Sequence, residues 1–152
     1  MIRCTPKGIC SWNFLLDGDD HHADIALKWF GEQGSITADG VRFEIRKDGG
    51  FRGKWALERS GAVVASARQS MLTATFEVES ASGSFTLRAE STFRRRFRIE
   101  RSGRTIATIS PAHPFTRRST IETFAEDCDF ATLCFCFWLT ALTWRRDSSD
   151  AQ

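Results

Sequence analysis

Six residues near the N-terminus have the type and density to hold a metal ion: Asp17, Asp19, Asp20, His21, His22 and Asp24. Carboxylate oxygens and imidazole nitrogens are common ligands of divalent metals. The spacing does not fit a calcium loop. The twelfth position counted from Asp17 is Lys28, where a bidentate glutamate is needed. A run of Asp around Gly18 reads instead as a solvated turn. The five cysteines, Cys4, Cys10, Cys128, Cys134 and Cys136, contain no Cys-x-x-Cys pair, so zinc spacing is absent. On a helix Cys134 and Cys136 would project about 200° apart and could not share one ion. An odd cysteine count with no apolar export segment at Met1–Pro6 reads as free thiols in a reducing compartment. No metal or other cofactor is expected.

Catalytic signatures are equally thin. There is no Gly-x-Ser-x-Gly, no Gly-x-x-x-x-Gly-Lys-Ser/Thr and no His-Glu-x-x-His. His113 stands between Ala112 and Pro114, a loop context. Glu126, Asp127 and Asp129 could serve acid–base chemistry, but the start of a helix explains them without it. The expectation is a non-enzymatic protein.

Charge gives a stronger signal. Net charge is only +2, yet residues 41–120 carry sixteen basic and seven acidic side chains between two acidic ends. Arg94, Arg96 and Arg98 would share one face of an extended segment, and Arg52 and Lys54 sit at matching places upstream. Clustered guanidinium groups can hold lipid phosphates through charge-assisted hydrogen bonds. These five residues are the candidate anion- or lipid-binding set. Nucleic acid is a weaker reading, because the aromatics alternate as core residues rather than standing free for stacking. Arg95 would face inward, so a bulge or turn is expected there, where the upstream copy has Gly53.

The elements that must position these groups are mostly strands. Apolar residues alternate at period two over 9–16, 25–29, 35–38, 41–46, 55–59, 63–69, 72–78, 85–89, 97–101, 105–110 and 120–124. Turn dipeptides separate them: Asp39-Gly40, Ser60-Gly61, Ser82-Gly83 and Ser102-Gly103. About eleven short strands at near-regular spacing predict a barrel or sandwich. Shifting the chain by 42 residues lays the middle on itself. Phe43 meets Phe85, Ile45 meets Leu87, Trp55 meets Phe97 and Leu57 meets Ile99. Glu58-Arg59-Ser60-Gly61 meets an identical Glu100-Arg101-Ser102-Gly103. A three-strand unit used twice follows.

Residues 130–144 break the pattern. They contain no charge, Gly or Pro, and only Thr132, Thr140 and Thr143 interrupt an apolar helical wheel. A helix apolar on every side must be enclosed by protein or lipid. Its length of about 22 Å falls short of the roughly 30 Å of a bilayer core. Enclosure by the strands is therefore expected. Acids before it and Arg145 and Arg146 after it match the helix dipole.

The meander Phe97-Arg98-Ile99-Glu100-Arg101-Ser102-Gly103-Arg104-Thr105-Ile106-Ala107-Thr108-Ile109, a further strand and then an acid-led apolar helix resemble the tubby C-terminal-like fold. The similarity is to its LURP-one-related and phospholipid-scramblase-like branch, and it covers most of residues 25–146. The resemblance implies a closed antiparallel β-barrel of about eleven to twelve strands around a hydrophobic C-terminal helix, built from two similar halves. It implies one domain over 1–152, with strands over 25–124, the central helix over 126–146 and a tail over 147–152. It also implies binding of anionic phospholipid or phosphoinositide, or of a protein partner, in the cytoplasm and at the inner membrane surface. The alternative is a tail-anchored membrane protein with 130–144 as the anchor.

Overall fold

The polar–apolar alternation forces each strand to turn one set of side chains inward and the next outward. The computed structural model describes residues 1–49, 53–70, 73, 75–90 and 95–150. Twelve strands occur among these: β1 (Ile2–Pro6), β2 (Phe14–Asp17), β3 (His22–Leu27), β4 (Gly34–Ala38), β5 (Val41–Asp48), β6 (Lys54–Arg59), β7 (Ala62–Gln69), β8 (Thr75–Ser80), β9 (Gly83–Ala89), β10 (Phe97–Arg101), β11 (Arg104–Pro111) and β12 (Ser119–Thr123). One helix follows, α1 (Phe130–Asp150). Every strand is antiparallel to its neighbour in sequence, and β1 pairs with β12 to close the barrel. Closure leaves no unpaired sheet edge.

The lumen is filled by α1. Residues Thr132 to Trp144 are buried on every side of the helix. They meet the inward residues Phe14, Ile25, Ile36, Trp55, Phe76 and Phe97. Phe137 meets Phe14 edge-on, with ring centroids 5.0 Å apart. Protein, not lipid, encloses the apolar rod. Among the described residues no helix is long and apolar enough to cross a membrane. The three threonines cost little inside: Thr140 and Thr143 donate to the carbonyls of Cys136 and Leu139, one turn back, and Thr132 bonds Asp129.

The repeat is structural. Leu57/Glu58 and Ile99/Glu100 carry the same register shift, 42 residues apart. Ser60-Gly61 and Ser102-Gly103 both turn with positive φ at both positions, 51° and 81° against 51° and 76°, the type I′ geometry that suits hairpin twist. Ile36 opposite Phe43 and Val78 opposite Phe85 keep the shift too, so the unit has four strands, β4–β7 and β8–β11. One position differs sharply. Where β8 has the buried Phe76, β4 has Gly34. A Cβ on Gly34 would collide with the Ala26 carbonyl oxygen and with Trp138 Nε1. That indole donates to Ala26 O at 3.1 Å. The helix leans on β3 and β4, and this missing side chain is what admits Trp138.

Several expected boundaries need correction. Strands do not begin at residue 25: β1 and β2 precede it, and β1 supplies the stave that closes the barrel. The segment 9–16 is strand only from Phe14, because residues 7–13 form a loop closed by Lys7 N donating to Asn13 O. Trp29 and Phe124 leave the alternation and point to solvent. The helix starts at Phe130, not 126, because Asp129 caps it. It runs through 147–150, beyond the barrel mouth, instead of ending at 146. The stretch over 72–78 is strand from Thr75; Leu72 and Ala74 lie outside the described residues.

Candidate functional site

In an up-and-down barrel the connections from odd to even strands share one end. Here that is the end where α1 emerges, since Arg145 reaches the β3–β4 loop while Asp129 at the helix start meets Ser82 between β8 and β9. Three neighbouring connections form an arc of that rim: residues 112–118, 7–13 and 28–33. Each carries an apolar side chain in open solvent. Phe115 is 93% exposed, Ile9 95%, Trp29 78% and Phe30 84%. Four protruding apolar residues on one arc form a feature that needs an explanation, unlike the single exposed apolar groups normal on any surface.

The loops do not fold these residues back because arginines hold their backbones (each by carbonyl oxygens beside the exposed residue). Arg145 on α1 donates to Lys28 O at 2.6 Å and Gly31 O at 2.7 Å, bracketing Trp29 and Phe30. Arg95 donates to Pro114 O at 2.5 Å and Thr116 O at 2.7 Å, bracketing Phe115. Arg117 donates to Gly8 O at 2.8 Å and to Ile9 O. Two of these guanidinium groups also stack on tryptophans that floor the rim, Arg95 on Trp144 and Arg117 on Trp12. Trp144 Nε1 returns a bond to Arg95 O at 3.0 Å. Burial pulls Arg95 and Arg145 below the usual guanidinium range, opposed by Asp147 beside the first and Glu32 near the second. A fourth arginine, Arg146, joins Lys47 in pairing with Glu32. Burial raises the Glu32 carboxyl, but these two cations outweigh it and hold it below its ordinary value.

Two hollows flank Trp12. One, about 550 Å³, lies between Ile9, Arg95, Phe115, Arg117 and Trp144. The other, about 610 Å³, lies between Leu27, Trp29 and Arg145. Lys28 and Arg118 stand on the same arc and make no ion pair among the described residues. The opposite end of the barrel has more acid than base, with Asp17 at the end of β2 and Asp19, Asp20, Asp39, Asp127 and Asp129 on its connections against Arg59, Arg101 and Arg104 beside its turns. The molecule is electrically polarised along its helix.

The sequence candidates fall elsewhere. Arg52 and Arg94 lie outside the described residues. Lys54 stands exposed at the start of β6, opposite Asp48 and Arg68. Arg98 stands on the outer wall in β10, with Glu100 3.5 Å away, while Arg96 precedes β10 at the helix-exit end, with Glu90 3.6 Å away. The wall alternates charge: Arg42 pairs with Glu44 and Arg46 with Glu58. Arg95, where a bulge or turn is expected, sits in a turn before β10 and swings over the mouth. The Asp–His cluster divides into separate pairs. His22 Nδ1 lies 2.5 Å from Asp17, and His21 Nδ1 lies 2.6 Å from Asp39. The His22 amide and His21 hold the Asp39 carboxyl below its ordinary value. Among the described residues no group of three such ligands could hold a metal. Cys4, Cys134 and Cys136 are buried, and burial pushes the Cys4 thiol up to about 12.

The apolar tips were not legible as a site. Two cues were present: Trp29-Phe30 puts adjacent aromatics where alternation allows only one inward, and Phe115 follows Pro114 outside any strand pattern. Compared with known proteins, the chain matches no family model, no curated protein and no solved structure.

Proposed function

We propose that this protein is a non-enzymatic binding module that docks peripherally on anionic phospholipid surfaces. The observation that carries this reading is the arc at the helix exit, where Ile9, Trp29, Phe30 and Phe115 protrude among Lys28, Arg117 and Arg118. Apolar tips among cations suit an interface that is anionic at its surface and apolar beneath. The acidic opposite end would orient the molecule before contact. The cytoplasmic leaflet is the anionic surface of this kind. The tubby-like resemblance points the same way, through the order of its meander and enclosed helix.

Co-sedimentation with vesicles of phosphatidylcholine alone, or with a third of phosphatidylserine added, tests the reading at low and high salt. Recovery should require the anionic lipid and fall as salt screens it. Equal recovery on both vesicle types, or on neither, would overturn it.

A further inference from the structure

We infer that docking is end-on and inserting: Ile9, Trp29, Phe30 and Phe115 enter the headgroup–acyl boundary of an anionic bilayer, while Arg95, Arg117 and Arg145 act as positioning residues. This rests on the lipid reading above and specifies the face and the division of labour within it.

The division of labour follows from where the arginine forks are engaged. A guanidinium has five N–H donors in a fixed fork. Arg145 and Arg95 each spend both terminal nitrogens on two backbone carbonyls, and Arg117 spends one on the carbonyls of Gly8 and Ile9. Each keeps three N–H donors, but its bonds to two carbonyls tie the side chain to a loop, so its first effect is on that loop. What they do is fix the loop path, so that the bracketed side chains point away from the protein. Holding a loop in its bound form lowers the ordering cost of association. Lys28 and Arg118, on the same arc and without an ion pair among the described residues, remain for headgroups. The outer wall is a poorer docking face, because its arginines lie beside Glu44, Glu58 and Glu100.

The test uses the full chain and vesicles containing a third of phosphatidylserine. Phe30→Ser and Phe115→Ser change exposed residues and leave the barrel core untouched. Each should weaken vesicle binding by at least about tenfold, from the apolar area no longer buried. Arg42→Gln and Arg46→Gln on the wall of β5 should weaken it less than about threefold, as lost surface charges do. Arg145→Lys keeps the charge but not the two-pronged bond, and it should lower binding about as much as a tip variant. Its thermal unfolding would be followed in parallel. The tip variants keep the test decisive if Arg145→Lys does not fold. If the native chain binds these vesicles but the tip variants bind equally well, insertion is overturned while the lipid reading stands. If Arg145→Lys folds and binds like the native chain, the positioning role is overturned. If no anionic vesicle is bound, both readings fall. Tip-dependent capture of a single-stranded oligonucleotide without vesicle binding would reassign the surface to nucleic acid and overturn both.

Discussion

A single glycine decides how the helix sits. Gly34 has ordinary backbone angles, so its role is space rather than turning. Trp138 occupies the volume that Phe76 fills in the other repeat. Gly34→Ala is therefore expected to cost about 2–3 kcal/mol as an overpacking change, read by urea unfolding. In a Trp138→Phe background, where the indole nitrogen is gone, the same change should cost less, and a double-mutant cycle measures the difference. Nothing in the sequence marked Gly34. It lies between Gln33 and Ser35 after a turn, and turns are where glycine is ordinarily expected. By contrast, Gly61 and Gly103 announced themselves through their Ser-Gly setting, and both adopt the positive φ that setting predicts.

At the scale of elements, the start of α1 is held by one carboxylate. Asp129 accepts from the Thr132 amide at 3.1 Å, from the Thr132 hydroxyl at 2.6 Å and from the Ser82 hydroxyl. It thereby caps the helix and ties it to the β8–β9 turn. Burial raises its carboxyl, but the Ser82 and Thr132 bonds outweigh that and hold it below its ordinary value. Asp129→Ala should cost about 1–2 kcal/mol, as capping aspartates do, while Asp129→Asn should retain part of it. The pH dependence has a definite sign. A carboxylate lowered in the native state binds fewer protons there than in the unfolded chain. Its contribution is complete above the unfolded value of about 4 and is lost as pH falls through the lowered native value. Glu32 adds to this at the other end of the helix. Stability by urea unfolding should be level from neutral pH down to about 5 and decline below about 4, and Asp129→Ala should decline less steeply. Most elements could be read from the alternation, the turn dipeptides and the uncharged run. The exception was β1, whose five residues include Arg3, Thr5 and Pro6 around the buried Ile2 and Cys4. Its place is set by pairing with β12, more than a hundred residues away, which local pattern does not report. The loops were the other gap. Their conformations depend on Arg145 from α1, on Arg95 before β10 and on Arg117, so Ile9 and Trp29 looked like strand residues when read alone.

As a whole, the molecule is a cylinder whose stability and polarity both run along its filling. Without α1, the inward faces of twelve strands would surround an empty lumen, and the loss of that apolar burial exceeds what marginal stability allows. A chain ending at Asp129 should therefore lack cooperative urea unfolding and bind a hydrophobic dye; a sharp native-like transition in that fragment would contradict this account. The same arrangement has a bearing on synthesis. Every stave leaves the ribosome before the peg that fills them, and the first stave waits for the twelfth as its neighbour. Until then the nascent chain presents greasy sheet with open borders, the state most prone to sticking. Cells making this protein would need either quick release of the chain or a chaperone that shields it until the last turn of helix arrives.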